Sequence, residues 1–226
     1  EQPFENEFAR RRLYKISPMD ELAKHHPDFV VNIAASPFSQ NKIKSKKEIF
    51  INKAKKHGIP VIYVNQVGAQ TELIFEGGSM AIDKEGKIRE QLKYFESDIK
   101  TIDTDVLFET AKIPVFFYPY RIKMIHDALV TGIKAYFSKM GFSKAVIGLS
   151  GGIDSSVTLV LAQKALGNEN VHALLMPSQY SSDHSVNDSK ELADNIKVSY
   201  DEIPIAGIFN IFNESLHPIF EGTKED

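Results

Sequence analysis

One short segment in the second half of the chain concentrates residue types that bind phosphate. Residues 150–156 read Ser-Gly-Gly-Ile-Asp-Ser-Ser and lie between an apolar run of strand type and a helix-forming run. Gly151 and Gly152 lack the Cβ atoms that keep a main chain away from an anion. The first N–H groups of a helix have no partners within it and lie at the positive end of its dipole. The hydroxyl donors of the segment are Ser150, Ser155 and Ser156. We therefore expect a phosphate or pyrophosphate to bind here.

The acidic residue of this segment, Asp154, needs a separate explanation. A carboxylate repels bound phosphates unless a cation lies between them, and Mg²⁺ takes oxygen ligands from both groups. We therefore expect Asp154 to be a Mg²⁺ ligand. The alternative is a tight strand-to-helix turn in which Asp154 or a serine merely caps the helix. No Gly-Lys-Ser/Thr follows the glycines, which disfavours a kinase or GTPase of the Walker type.

The elements around this segment indicate how it is positioned. Apolar periodicity and glycine stops predict helices and strands in alternation. In order, these are helix 122–140, strand 145–149, helix 157–166, strand 171–176, helix 185–195 and strand 198–203. Such alternation is typical of a Rossmann-like, doubly wound parallel sheet, in which ligands bind beyond the carboxyl ends of the strands. Residues 150–156 follow one of those ends.

The first half of the chain is predicted to be an α/β layered domain of its own. Its predicted elements are strand 29–33, helix 45–57 and strands 60–67, 72–76 and 79–83. Residues 111–119 contain two prolines, which disfavour helix and indicate an extended linker. We therefore place the domain boundary near Pro114, giving domains 1–113 and 114–226.

Composition restricts the classes of function that the chain can have. Apolar residues make up 42% and charged residues 25% of its 226 residues, as in globular proteins. The 27 basic and 30 acidic residues (27 − 30 = −3) give no support to nucleic-acid or anionic-membrane binding. No apolar run reaches the roughly 18 residues of a membrane span, and we expect a cytoplasmic protein. The absence of cysteine excludes disulfides, Cys-ligated metals and a thiol nucleophile within these residues. The polar ends and the missing initial Met predict that the chain is cut at both ends.

Residues 150–155 resemble the SGGxDS pyrophosphate loop of the N-type ATP pyrophosphatases, which adenylate a substrate with ATP. Within that class, residues 174–182 (Leu-Leu-Met-Pro-Ser-Gln-Tyr-Ser-Ser) and 188–195 resemble NAD synthetases. The resemblance implies that Met176 and Ser178 lie near the adenine and ribose of ATP. Ordinary core packing is the alternative for Met176. The ATP-binding residues that follow from this resemblance are Ser150, Gly151, Gly152, Asp154, Ser155, Ser156, Met176 and Ser178.

The first half is similar to the nitrilase-like glutaminase domain that precedes the synthetase domain in glutamine-dependent NAD synthetases. The matching segments are residues 32–38, 64–79 and 103–108. The resemblance as a whole runs from about residue 18 to residue 221. It implies the C-terminal part of a nitrilase-like α/β sandwich, followed by a Rossmann-like doubly wound parallel sheet.

This resemblance implies an activity and assigns further residues. The activity is ATP-dependent amidation of deamido-NAD to NAD, with ammonia from glutamine, through an adenylated intermediate. The family's glutaminase Glu, Lys and Cys correspond to positions upstream of Glu1, so no catalytic residue is assignable here. The resemblance implies that Ser36 and Lys42 bind glutamine. Ser36 before a proline also fits a simple turn, and the lysines at 42, 44, 46 and 47 also fit a solvated helix face.

The partners implied are therefore deamido-NAD, ATP and glutamine or ammonia, in a homo-oligomer that binds neither nucleic acid nor membranes. Two alternatives stay open at this point. One is another N-type ATP pyrophosphatase amidotransferase, similar to GMP synthetase. The other is a non-catalytic nucleotide-binding module.

Overall fold

The structure is a computed structural model that describes residues 16–108, 120–220 and 222. Two compact units divide the chain, Glu1–Ala135 and Tyr136–Asp226. The linker predicted at 111–119, with the domain boundary near Pro114, lies outside the described residues. So do both ends of the chain. The boundary between domains 1–113 and 114–226 therefore stays a prediction.

The first unit contains a four-stranded mixed sheet and a separate two-stranded ribbon. Its elements are α1 (Pro18–Ala23), β1 (Val30–Ala34), α2 (Ile43–His57), β2 (Val61–Asn65), β3 (Val67–Gln70), β4 (Leu73–Glu76), β5 (Met80–Ile82), β6 (Ile88–Gln91), a 3₁₀ helix (Thr104–Leu107) and most of α3 (Arg121–Met140). The sheet order is β1-β2-β5-β6, with β1 and β2 parallel and the other pairs antiparallel. β3 and β4 form the antiparallel ribbon.

Most predicted elements of the first unit are present, with one strand divided. The strand predicted over 60–67 separates into β2, which ends at Asn65, and β3, which begins at Val67 in the ribbon. The short helix α1 was not predicted. Asp20 of α1 contacts three side chains of α2, namely Lys53 (3.0 Å), Lys56 (3.0 Å) and His57 (2.8 Å). These contacts hold α1 against α2. Hydrogen bonds from these three side chains lower the pKa of the Asp20 carboxyl well below its usual range.

The interior of the first unit contains apolar residues and buried charges. Its apolar cluster, between the sheet and α2, consists of Ala54, Val61, Tyr63, Met80 and Ile82. Beside it, Arg89 Nε donates to Asp83 Oδ2 at 2.6 Å, with both side chains at most 2% exposed. The buried polar residues of this unit, among those described, are Lys47, Asn65, Glu76, Ser79, Asp83 and Arg89.

The second unit contains a parallel three-stranded sheet with helices between its strands. After the end of α3 come β7 (Ala145–Gly148), α4 (Ile153–Leu166), a 3₁₀ helix (Asn168–Asn170), β8 (Val171–Leu175), α5 (Asp183–Asn195), β9 (Ser199–Glu202) and α6 (Ala206–Phe220). The strand order is β7-β8-β9, all parallel. The predicted α/β fold with a parallel sheet is confirmed. The described strands follow one another in one direction, so the reversal of a doubly wound sheet stays a prediction.

The helix after β7 begins earlier than its apolar pattern predicted. Gly152 is its N-cap, so α4 starts at Ile153 rather than at residue 157. Ser155 and Ser156 are tolerated there because their hydroxyls bond the carbonyl of Gly152. α4 packs against β7 and β8. The apolar core of this unit consists of Leu149, Leu159, Ala162, Val171, Ala173, Leu175 and Val198. In the described part of the chain, no helix combines the length and apolar character that crossing a membrane requires.

Candidate functional site

The predicted phosphate segment leaves the sheet at the carboxyl end of β7. The N–H of Leu149 still donates to the carbonyl of Leu174 on β8 at 2.8 Å, and Ser150 is the first residue beyond the sheet. Gly152 caps α4 with extended main-chain angles (φ −79°, ψ 156°) and provides no side-chain cap. The first N–H groups of α4, from Ile153 onward, therefore have no partner within the helix and no capping side chain. This is the arrangement that binds anions at helix N-termini.

Gly151 brings this loop into direct contact with α5. Its φ is +78°, a conformation that residues with a Cβ rarely adopt. A Cβ at this position would lie 2.4 Å from the carbonyl oxygen of Ser185 and 2.8 Å from its Cα. Because the obstruction is main chain, it cannot rotate away. The path of the loop therefore requires glycine at 151.

The serines of the loop bond to the loop itself in this structure. Ser155 Oγ accepts from the N–H of Ser150 at 3.2 Å and donates to the carbonyl of Gly152 at 3.0 Å. Ser156 Oγ donates to the same carbonyl at 2.9 Å. These bonds tie the turn to the first helical turn. The main-chain N–H groups are therefore the first donors available to an anion, and the hydroxyls contribute only after rotating.

Asp154 lies exposed in the first turn of α4. In the described part of the chain its carboxylate forms neither a hydrogen bond nor an ion pair. Nor do the described ranges contain a group of three His, Cys, Asp or Glu side chains suited to a metal. Mg²⁺ commonly uses one or two carboxylates and completes its shell with waters and substrate phosphates. A single unengaged carboxylate beside an anion-binding helix start fits that donor set.

A cleft of about 80 Å³ opens beside the loop at the carboxyl ends of β7 and β8. Its lining is Leu149, Ser150, Leu175, Met176, Pro177, Ser181, Ser185, Val186 and Ser189. Of the predicted residues, Ser150 and Met176 thus share one cleft. Met176 is 47% exposed, so the core-packing alternative for it is wrong.

Ser178 does not line this cleft. It shapes the turn after β8, since its N–H donates to Ser181 Oγ (3.0 Å) and its Oγ accepts from the N–H of Tyr180 (3.2 Å). Its predicted contact with ATP stays a prediction. The sequence analysis missed the cleft residues Ser185 and Ser189. The signal that could have found them is serine at 185 and 189, a spacing of four that places both on one side of α5.

The second predicted site begins at the carboxyl end of β1, in the first unit. The N–H of Ser36 donates to Asn65 Oδ1 at 2.9 Å. Asn65 is the last residue of β2, lies opposite Ala34 in the parallel register and is 6% exposed. Lys46 Nζ, from α2, donates to the carbonyl of Pro37 at 3.1 Å and reaches that of Ser36 at 3.5 Å. Ser36 therefore lies in a main-chain segment that two side chains hold from different elements.

The lysines of α2 do not form one solvated face. Lys42 is the half-buried N-cap of the helix, and Lys44 is the exposed member, with 81% of its side chain accessible. The Lys46 side chain is 14% exposed and Lys47 only 3%. The solvated-face alternative is therefore wrong for Lys46 and Lys47. The contact of Lys42 with glutamine stays a prediction.

The first unit buries an ion pair next to the Ser36 segment, and two of its other buried groups, Tyr63 and Lys47, have shifted pKa values. Lys46 pairs with Glu76 at 2.5 Å, and the Glu76 side chain is 3% exposed. Glu76 Oε2 is buried and has no hydrogen-bond partner in the described part of the chain. Burial raises the pKa of Tyr63 to about 12, with the Ser36 side chain opposing this rise and the Glu76 charge adding to it. Burial lowers the pKa of Lys47 to about 8.

Comparison with known proteins finds similarity to one kind of enzyme over most of the chain. Residues 125–225 match the family model described as NAD synthase. The glutamine-dependent NAD(+) synthetase of Synechocystis sp. is 39% identical over 220 residues, 95% of this chain and 39% of the relative. That of Thermotoga maritima is 35% identical over 87% of this chain and 40% of the relative. The glutamine-dependent NAD+ synthetase of Acinetobacter baumannii, solved in complex with ADP, superposes with a TM-score of 0.83 at 32% identity, over 92% of this chain and 40% of that one. The chain thus spans about two fifths of the length of these relatives.

Proposed function

The chain is homologous to the glutamine-dependent NAD(+) synthetases over most of its length, and on that premise we propose that the full-length protein amidates deamido-NAD to NAD. The reaction consumes ATP and takes its ammonia from glutamine. One observation carries the proposal most directly. The anion-binding start of α4, with Gly151 pressed against α5, lies within the residues that match the NAD synthase model.

The loop after β7 is proposed to bind the phosphates of ATP. The unpartnered N–H groups at the start of α4 suit the β- and γ-phosphates, which leave as pyrophosphate. The cleft that contains Met176 suits the nucleoside. The Acinetobacter baumannii relative was solved with ADP, which shares its adenosine and first two phosphates with ATP.

Asp154 is proposed to hold Mg²⁺ in the ATP complex. When bound, Mg²⁺ neutralises phosphate charge and so stabilises the departing pyrophosphate. Without a cation, the Asp154 carboxylate would repel the phosphates that the N–H groups attract. The lack of any hydrogen bond or ion pair to this carboxylate among the described residues supports a role toward a ligand.

The proposed chemistry has two steps on the substrate. A carboxylate oxygen of deamido-NAD attacks the α-phosphorus of ATP, and the bond to the β-phosphate breaks to release pyrophosphate. Ammonia then attacks the carbonyl carbon of the resulting acyl adenylate, loses a proton and displaces AMP. The amide of NAD is the product. Glutamine, bound at Ser36 and Lys42, supplies the ammonia by hydrolysis. We also propose that the protein is cytoplasmic and forms a homo-oligomer.

Replacing Asp154 tests the proposal. In the full-length protein, Asp154→Asn keeps the side-chain volume and removes the charge. We expect ammonia-dependent amidation with Mg-ATP to fall at least about a hundredfold, because the leaving pyrophosphate loses its neutralising cation. The control is Glu169→Gln, which removes an exposed carboxylate from the 3₁₀ helix before β8, at the other end of that strand, and should keep the rate within about twofold.

Calorimetry with Mg-ATP, together with the amidation assay, separates the proposed function from its two alternatives. A wild-type protein that binds Mg-ATP but never amidates deamido-NAD with added ammonia is a nucleotide-binding module. One that amidates a different acid belongs to another ATP pyrophosphatase class. Near-normal turnover of Asp154→Asn would remove the metal role from this residue.

A further inference from the structure

Among the described residues, partners are present for every available main-chain polar group of residues 36–38 except the carbonyl of Phe38. The N–H of Ser36 donates to Asn65, and Lys46 binds the carbonyls of Ser36 and Pro37. The N–H of Phe38 donates to the carbonyl of Ile74 on β4 at 2.6 Å. Proline has no N–H to satisfy. The anchors come from β2, α2 and β4, so three elements fix this short segment.

The two side-chain anchors are themselves fixed. Asn65 Nδ2 donates to the carbonyl of Gly77 at 3.1 Å. This bond fixes the orientation of the amide, so that Oδ1 faces the N–H of Ser36. Lys46 is oriented by its ion pair with Glu76, which is almost completely buried. A buried ion pair of this kind gives little net stability, because desolvation offsets most of the attraction. The pair is therefore better explained by the geometry that it imposes than by stability alone.

We propose that Lys46, oriented by Glu76, is a positioning residue for glutamine binding. By holding the carbonyls of Ser36 and Pro37, its ammonium group fixes the main chain from which the Ser36 hydroxyl projects. A preorganised first contact binds its ligand without the cost of ordering the segment. The inference rests on the proposed function, since it takes Ser36 to be part of the glutamine site.

The same helix provides a matched comparison. Lys47 is as deeply buried as Glu76, but it donates to Gln91 Oε1 at 2.8 Å and lies 5.7 Å from the Tyr94 ring centre. Lys44 is exposed. Lys46→Met removes the bonds to the Ser36 segment, whereas Lys47→Met removes a buried ammonium group and Lys44→Met an exposed one. The three variants separate positioning from burial and from surface charge.

The experiment uses the full-length protein and measures two rates for each variant, one with glutamine and one with added ammonium chloride. For Lys46→Met we expect the KM for glutamine to rise about tenfold or more, since small misplacements of a binding group have effects of this size. The ammonia-dependent rate should stay within about twofold. Lys46→Arg, which restores a cation, should recover most of the loss. Lys44→Met and Lys47→Met should keep the glutamine KM within about twofold.

Several outcomes would overturn the inference. One is an unchanged glutamine KM in Lys46→Met, and another is an equal rise in Lys47→Met. If Lys46→Met does not fold, Glu76→Gln decides, because it releases Lys46 without changing the side-chain volume. A several-fold rise of the glutamine KM supports the inference, and no rise overturns it. A wild-type protein that hydrolyses no glutamine contradicts the proposed function and this inference together, whereas an active wild type with an unaffected Lys46→Met contradicts this inference alone.

Discussion

The loop after β7 and the segment after β1 occupy equivalent places, each just beyond the carboxyl end of a parallel strand, but they are held differently. The loop is held by its own residues, because Gly151 contacts α5 and the Ser155 hydroxyl bonds to main-chain groups of the loop. Side chains that are distant in sequence hold the segment at Ser36, through Asn65 and Lys46. A phosphate needs many N–H groups from one short stretch, which a glycine turn before a helix provides. Orienting a single hydroxyl requires anchors from several elements.

The interiors of the two units differ in the same way. Among the described residues, six of the seven buried polar or charged residues lie in the first unit, and Ser189 is the one in the second. The second unit packs an apolar core under its sheet. Charge substitutions inside the first unit should therefore affect stability more than comparable changes inside the second.

The largest effect is expected from the buried pair Asp83–Arg89. Asp83→Ala leaves the Arg89 guanidinium without this partner in a site that is 1% exposed, and removes two main-chain bonds to the Asp83 carboxylate. Breaking such a pair costs about 3–5 kcal/mol. The thermal unfolding midpoint of the full-length protein should fall by roughly 3–4 °C.

The control for this prediction is Glu85→Ala in the same turn, whose ion pair with Lys87 lies at the surface. We expect a change below about 1 kcal/mol from that exposed pair. Equal midpoints for Asp83→Ala and Glu85→Ala would contradict the view that buried charges organise the first unit.

The next effect concerns the loop after β7. Gly151→Ala places a Cβ 2.4 Å from the Ser185 carbonyl oxygen, so the loop must move and the N–H groups at the start of α4 lose their alignment. We expect the ammonia-dependent rate to fall about a hundredfold, or about 2.7 kcal/mol. Gly141→Ala is the matched control, because Gly141 has a similar φ of +73° with nothing within 4 Å of the added Cβ.

Gly141→Ala should show the conformational cost alone, about 1 kcal/mol of stability, and keep its activity. Both rates are measured with saturating ammonium and varied Mg-ATP. If Gly151→Ala retained more than a third of the wild-type rate, the loop would not depend on its contact with α5.

The difference between the two sites also explains what the sequence could predict. The loop at 150–156 was predictable because its residues are contiguous, and glycine, serine and aspartate have distinct local preferences. Its helix was predicted four residues late because the apolar pattern starts at Val157, whereas Gly152 caps the helix. The strand predicted over 60–67 was divided by a change of sheet at Gln66, which no local pattern marks.

The anchors of Ser36 could not be predicted from local patterns. Asn65 faces Ser36 because the parallel register places it opposite Ala34. Ser36 and Asn65 are 29 residues apart in sequence, so no local pattern shows that they meet. Lys46 belongs to a lysine-rich run that is typical of a solvated face, and only its partner Glu76, thirty residues on, shows otherwise. The assignment of the first unit to a nitrilase-like sandwich stays a prediction.

The smallest effect is a pH dependence of stability that arises from the burial of the Lys47 ammonium group. Burial lowers the pKa of Lys47 from 10.5 to about 8. Between these values the unfolded chain binds a proton that the folded protein has released, so stability rises as pH rises through this window. The wild type should gain about 1–2 kcal/mol relative to Lys47→Met between pH 8 and pH 9.5, at up to about 1.4 kcal/mol per pH unit.

Unfolding midpoints of the wild type, Lys47→Met and Lys44→Met across that range measure this gain. Lys44 is exposed, so its variant should follow the wild type at every pH. Tyr63 does not interfere, because its raised pKa of about 12 lowers stability only above pH 10, where the unfolded phenol ionises first. A constant difference between the wild type and Lys47→Met would mean that the Lys47 ammonium keeps its proton at no cost. The buried charges of the first unit would then not make its stability depend on charge more than that of the second unit with its apolar core.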